Sequence, residues 1–300
     1  MTNFLLITIC LLAGVVIQRF KSLPPDSYKA VNTWVINIAL PAIALKYLPK
    51  VEWDISLALP FLTPLLIWVG SYLFIRLVNN FIPMDPRTRT ALYLTAGLGN
   101  TSFLGFPLSE AYYGAEGLKI AILVDQGCFI VMSTLGIMSA SHASSEGKIQ
   151  ILSILKRILS FPPFLAFCLA LILPSFISFS PIEPLLDILG ATLVPLALFS
   201  VGLQLKLQFD RQEFRFVNLA LIYKLLLAPL MIFLIAKGLG LEGLNAQISV
   251  FEAGMAPMVT GAIIATDYNL RPKLANFILS IGIPVSLLTT YLWSLLLSAM

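Results

Sequence analysis

The sequence predicts an all-α membrane protein with ten transmembrane helices, arranged as an inverted repeat of five and five. Of its 300 residues, 58% are hydrophobic and 11% are charged, whereas soluble domains have about 25% charged residues. Ten segments each reach the roughly 20 apolar residues that a bilayer-crossing helix needs. A polar stretch, SHASSEGKIQ at 141–150, separates five of these segments from the other five. The protein is therefore expected in the plasma (inner) membrane.

Each predicted span is an apolar run bounded by polar or basic residues. We expect the first run to be a transmembrane helix and not a cleavable signal peptide. It runs into Arg19 and Lys21, where a signal peptide would have a small-residue cleavage site. The ten spans are about 3–19, 29–48, 56–79, 90–112, 117–140, 151–174, 184–205, 215–237, 243–267 and 274–298.

The basic residues predict the orientation of the spans. Of the 19 lysines and arginines, 14 fall in or beside the odd-numbered loops. The even-numbered loops contain Lys46, Lys50, Lys119 and Lys237, and Lys224 lies inside the eighth span. Because lysine and arginine concentrate in cytoplasmic loops, both termini are expected to face outward.

The composition also disfavours several classes of function. The net charge of +4 is small and spread over loops, so no nucleic-acid partner is expected. Cys10, Cys128 and Cys168 lie in apolar runs and indicate buried hydrophobes and not disulfides. The single His142 has no partner for a metal site or an intramembrane enzyme. No catalytic residue, metal ligand or cofactor is predicted, and no phosphate-binding loop for ATP is present.

The linker at 141–150 divides the chain into a first five-helix repeat at 1–140 and a second at 151–300. With five spans each, the two repeats must insert in opposite orientations. One motif of span 4, TAGLGN, aligns with EAGMAP of span 9 and places Asn100 over Pro257. An inverted repeat with glycine and proline interruptions in matched helices indicates a secondary transporter whose binding site lies at those interruptions.

Two spans contain the residues that break helices. Proline removes a backbone donor, and glycine costs about 1 kcal/mol in a helix interior. A break in mid-membrane is tolerated where protein or a water-filled cavity satisfies the freed backbone groups. The alternative is that these residues only kink the helices. The predicted breaking residues are Gly99, Gly105 and Pro107 in span 4 and Gly254 and Pro257 in span 9.

Asp125, Glu252 and Lys224 lie deep inside predicted spans, well away from the span ends. A charge there costs at least about 2.5 kcal/mol, so we expect these side chains to face the interior and Lys224 to lie near one of the carboxylates. One interpretation is a sodium or proton coupling site at Glu252, and the other is a static ion pair. The nearby Gln126 either faces a substrate or bridges two helices.

Three motifs resemble the auxin efflux carrier family, which includes bacterial members and the plant PIN-type carriers. They are GNTSFLGFPL at 99–108, LVDQG at 123–127 and APMVTGAIIATDYN at 256–269. The resemblance implies the ten-helix fold of the bile-acid/sodium symporter superfamily. It implies a scaffold of spans 1, 2, 6 and 7, through which a homodimer forms, and a mobile transport domain of spans 3–5 and 8–10. It also implies an elevator-type movement.

The resemblance further implies that Asn100 contacts a substrate carboxylate, that Gln126 lines the same site and that Pro257 breaks the opposing helix. Plant members often have a proline where Gly99 stands, and their charged pair in span 3 is not visible here. Auxin is therefore not the expected substrate, and bacterial relatives are associated with dicarboxylates such as malate or malonate.

We therefore expect a carrier for a small organic anion, embedded in the lipid bilayer, with Na⁺ or H⁺ as the candidate coupling ion. The alternatives are an ion-independent uniporter or efflux carrier for auxin-like aromatic acids, and a channel or sensor. The expected substrate-binding residues are Asn100, Thr101, Ser102, Gln126, Met255 and Pro257, and the expected ion-coupling residues are Glu252, Asp125 and Lys224.

Overall fold

The structure, a computed structural model, describes residues 2–144, 151–205 and 213–298. Across these ranges the chain is helical and has no β-strand, and one isolated bridge joins Gly99 and Pro257. Residues 145–150 of the predicted linker lie outside the described residues. Seven helical segments are long and apolar enough to cross a membrane: Thr2–Arg19, Ser27–Lys50, Ile55–Asn79, Thr101–Ala143, Ser180–Gln204, Phe214–Gly238 and Pro272–Leu297. The prediction of an all-helical membrane protein is confirmed.

Short stretches of other helix types interrupt or extend many of the α-helices. Four π-helices occur in the described ranges, at Val35–Ala39, Thr101–Gly105, Met132–Gly136 and Tyr223–Leu227. The α-helices are α1 (Thr2–Arg19), α2 (Ser27–Trp34), α3 (Leu40–Tyr47), α4 (Ala58–Asn79), α5 (Pro86–Ala96), α6 (Phe106–Val131), α7 (Ile137–Ala143), α8 (Ile151–Leu159), α9 (Pro162–Ile172), α10 (Glu183–Ala191), α11 (Leu193–Gln204), α12 (Phe214–Ile222), α13 (Ala228–Gly238), α14 (Leu244–Ala253), α15 (Val259–Asp267) and α16 (Pro272–Leu297).

One predicted span is not a continuous helix, so that prediction is wrong. The expected helix at 151–174 is divided into α8 and α9. Phe161, which separates them, has an extended backbone with φ −81° and ψ 114°. The residue before a proline avoids the helical region, and Pro162 follows directly. The boundary between predicted spans 4 and 5 lies inside α6, where Gly114 has φ 69° and ψ −164°.

The chain divides into two compact units. The first comprises Met1–Trp53, Ser102–Ile122 and Leu155–Lys206. Within it α1 and α11 approach closely through Gly14 and Gly202, since a Cβ atom on Gly14 would lie 2.8 Å from the Gly202 Cα. Small residues allow this approach between membrane helices.

The second unit comprises Asp54–Thr101, Leu123–Ile154 and Leu207–Met300. Its helices also pack through glycine. A Cβ atom on Gly261 of α15 would lie 2.7 Å from the carbonyl carbon of Leu94 in α5, so only glycine fits this contact. This second unit contains the breaks of α5 and α14 that are described next.

Candidate functional site

Two helices of the second unit are interrupted, and the interruptions meet. α5 ends at Ala96, and residues 97–100 are non-helical. α14 ends at Ala253, and residues 254–258 are non-helical before α15 begins. The backbone N–H of Asn100 donates a hydrogen bond to the backbone carbonyl of Ala256 at 2.8 Å. We call these two non-helical segments, 97–100 and 254–258, the junction.

Proline 257 explains why α14 stops where it does. Pro257 has no N–H to donate to the carbonyl four residues earlier, which is that of Ala253. That carbonyl accepts a hydrogen bond from the Lys224 Nζ at 2.5 Å. The proline ring lies against α16, where a Cβ atom on Gly282 would come within 2.7 Å of its Cγ and Cδ atoms. A lysine from another helix therefore satisfies a carbonyl that the proline leaves without a helical donor.

Lys224 lies in the π-helix Tyr223–Leu227, which precedes α13. Its side chain is 0% exposed, and its ammonium interacts electrostatically with the Glu252 carboxylate. Pro229 leaves the Leu225 carbonyl without a helical donor, and the Trp293 Nε1 donates to that carbonyl at 3.0 Å. π-Helical turns occur frequently at functional sites.

Glycine 99 allows the two segments of the junction to approach each other. A Cβ atom there would lie 3.1 Å from the Lys224 Nζ, 3.3 Å from the Glu252 carbonyl oxygen and 3.4 Å from the Met255 Cβ. The first two distances are shorter than ordinary van der Waals contacts of a Cβ atom, and the third is at their lower limit. The ammonium of Lys224 therefore lies directly against the backbone of the junction.

Helix α6 contributes polar side chains to the junction. The Thr101 hydroxyl donates a hydrogen bond to the Asp125 carboxylate at 2.5 Å. The Cys128 Sγ contacts the Gly99 carbonyl oxygen at 3.5 Å, as a weak donor. Gln126 is buried, and its Oε1 has no hydrogen-bond partner among the described residues. Such a buried acceptor suits a ligand that brings a donor.

The structure brings most of the predicted site residues together. Asn100, Gly99, Gly254, Met255 and Pro257 lie in the junction itself, and all of them are buried. The side chains that contact or adjoin the junction are those of Thr101, Asp125, Gln126, Lys224 and Glu252.

Three other predicted residues, Ser102, Gly105 and Pro107, belong to the first unit. Gly105 ends the π-helix and Pro107 is the second residue of α6, so neither lies in the non-helical segment. The hydroxyl of Thr101, which is expected to contact a substrate carboxylate, donates to the Asp125 carboxylate in this structure.

Sequence reasoning missed Cys128 at the junction, because it read this residue as a buried hydrophobe. It also missed a cluster around Arg271, in the loop between α15 and α16. The Arg271 guanidinium donates to the Glu213 carboxylate at 2.5 Å and to the Thr88 hydroxyl at 2.7 Å. Partial burial raises the pKa of Asp85, but hydrogen bonds from Thr88 and the nearby Arg271 charge hold the pKa below its ordinary value.

Comparison with known proteins identifies the family. The family described as "Membrane transport protein" matches residues 1–294. An "Uncharacterized transporter" of Methanothermobacter thermautotrophicus is 29% identical over an alignment 302 positions long, which spans 97% of this chain and 96% of the relative. The "Uncharacterized transporter YfdV" of Escherichia coli K12 is 25% identical over 97% of this chain and 95% of its own length. A "Putative malonate transporter" of Rhizobium meliloti is 23% identical over 88% of this chain and 85% of its own length.

The match extends over nearly the whole chain, so it includes both segments of the junction and the helices that carry Asp125 and Lys224. The relatives are transporters by name, which agrees with the expectation that this chain is not an enzyme. The resemblance inferred from three short motifs is thereby confirmed. The chain is a multi-pass membrane protein that belongs to the membrane transport protein family, the family of the auxin efflux carriers.

Proposed function

We propose that this protein is a secondary active transporter that carries a small organic anion, a mono- or dicarboxylate, across the plasma membrane. The observation that carries the proposal is the junction, where two interrupted helices are joined by the Asn100–Ala256 hydrogen bond. Buried charges surround it, with Glu252 1% and Lys224 0% exposed. Charged residues inside membrane proteins mark the pathways of substrates and ions.

The chemistry of the junction suits a carboxylate. The N-terminus of α15 follows directly on residues 254–258, and its first amides have no side-chain cap. Helix N-termini attract anions because their amides are unpaired and carry a partial positive charge. Asn100 and Gln126 add amide side chains on the opposite segment and on α6. The malonate in the name of one relative supports a dicarboxylate, at 23% identity.

The transport cycle follows from the family resemblance. In this proposal ten spans form two oppositely inserted repeats, and both chain termini face outward. Spans 1, 2, 6 and 7 form a scaffold that dimerises, and spans 3–5 and 8–10 move as an elevator that carries the junction across the membrane. The breaks at half-helix ends keep the substrate near the bilayer midplane, as in other transporters with inverted repeats.

Counterflow in proteoliposomes tests the function. Vesicles that contain the purified protein are loaded with an unlabelled acid and diluted into trace amounts of the same radiolabelled acid, over a panel that includes malonate, malate, acetate and indole-3-acetate. A carrier accumulates the label transiently, and the accumulation saturates with substrate. Accumulation of malonate or malate supports the proposal. Failure of every acid in the panel, with a protein that remains monodisperse, contradicts it.

A further inference from the structure

The ammonium of Lys224 lies where the backbone of an ion-coupled carrier would offer oxygen atoms to a cation. We propose that Lys224 is a built-in cation that takes the place of a coupling Na⁺, so that anion transport by this protein is independent of Na⁺. The claim about transport rests on the proposed function. The assignment of Lys224 to the cation position rests on its contacts alone.

The backbone of the junction provides the first argument. The C-terminal carbonyls of half-helices carry a partial negative charge and coordinate Na⁺ in transporters with broken helices. The Ala253 carbonyl ends α14 and lacks a helical donor because residue 257 is proline. The Lys224 Nζ lies 2.5 Å from this oxygen. A tethered cation therefore already occupies this end of the helix.

Space provides the second argument. A Cβ atom on Gly99 would lie 3.1 Å from the Lys224 Nζ, so the ammonium is packed close to the backbone of the junction. The Lys224 side chain is 0% exposed. The fit depends on the length of a lysine side chain that starts from the π-helix at Tyr223–Leu227.

Charge provides the third argument. Carboxylates and backbone carbonyls are the oxygen ligands that hard cations prefer. Two carboxylates lie beside the junction, that of Glu252 from α14 and that of Asp125 from α6. Lys224 is the one lysine or arginine that is buried among the residues the structure describes. The ammonium thus supplies the positive charge that a bound Na⁺ would otherwise supply.

The test uses the purified full-length protein in Na⁺ and in N-methylglucamine media. In the wild type, the apparent affinity for malonate in counterflow should be the same in both media, whereas a coupling ion typically changes affinity by about 5–150-fold. The Lys224→Ala variant opens the position while it keeps Ala253, Glu252 and Asp125. We expect its unfolding temperature to rise with NaCl concentration, and not with N-methylglucamine chloride.

The exposed Lys237 on α13 provides the matched control. The Lys237→Ala variant should resemble the wild type in both media. A wild-type affinity that depends on Na⁺ would overturn the proposal, as would a Lys224→Ala protein whose stability is indifferent to Na⁺. If Lys224→Ala does not fold, Lys224→Gln serves in the same measurement. If no acid is transported, the proposed function fails, and the stability measurements still decide the role of Lys224.

Discussion

Gly261 on α15 faces the backbone of α5, and a single methyl group there would force the two helices apart. A Cβ atom would lie 2.7 Å from the Leu94 carbonyl carbon and closer still to its oxygen. Carbon atoms prefer about 3.5 Å or more, so the helices must separate by roughly 0.8 Å or more. Overpacking costs about 1–3 kcal/mol. Because the opposing atoms are backbone and cannot rotate away, we expect Gly261→Ala to lose about 3 kcal/mol of unfolding free energy.

The control is Gly238→Ala at the end of α13, where a Cβ atom would meet nothing within 4 Å. This variant should unfold like the wild type or be stabilised by about 0.4–1 kcal/mol. The assay is unfolding in detergent micelles, followed by tryptophan fluorescence. Gly261→Ala should also slow counterflow, because α5 and α15 each adjoin one segment of the junction. Stability of Gly261→Ala within about 0.5 kcal/mol of the wild type would refute the close approach.

Three further variants test the charged groups. Arg271→Met should lower the free energy of unfolding by about 2 kcal/mol, because its charged hydrogen bond to Glu213 is lost. Adding Glu213→Gln should recover part of this free energy in the unfolding assay, and no recovery would contradict the pairing of the two residues. The folded pKa of Asp85 lies below its ordinary value, so its stabilisation is complete above about pH 4 and is lost as pH falls further; acid titration of Asp85→Asn should show a smaller loss than that of the wild type. Lys224→Met should cost about 3–5 kcal/mol, because it removes a buried cation beside the buried Glu252; combined Lys224→Met and Glu252→Gln should be more stable than Lys224→Met alone, and equal stability would contradict an interaction between the two residues.

Much of the fold was predictable because apolar length alone specifies a transmembrane helix. The predicted spans at 3–19, 56–79 and 274–298 differ by at most two residues at either end from α1, the Ile55–Asn79 segment and α16. The division of α8 from α9 was not recognised, although Pro162 gives the local signal for it. Hydropathy counts apolar residues in a window and does not detect a backbone that turns within the window.

The location of the candidate site was also predictable, because glycine and proline mark where helices break. The partners within the site were not. Lys224 was expected to lie near Glu252 or Asp125, and the hydrogen bond that its ammonium donates to the Ala253 backbone carbonyl was not predicted. Which way a side chain points depends on the rotation of its helix, and the π-helix at Tyr223–Leu227 changes that rotation locally. Periodicity with 3.6 residues per turn cannot represent this change.

The measurement that tests the central claim most directly is equilibrium binding of a dicarboxylate to the purified protein and to Asn100→Ala. Titration calorimetry with the acid that gives the strongest counterflow should show saturable binding to the wild type. It should show none to Asn100→Ala, while Asn80→Ala, a change at an exposed position after α4, binds like the wild type. Equal affinities for the wild type and a folded Asn100→Ala would contradict the claim that the junction binds the anion.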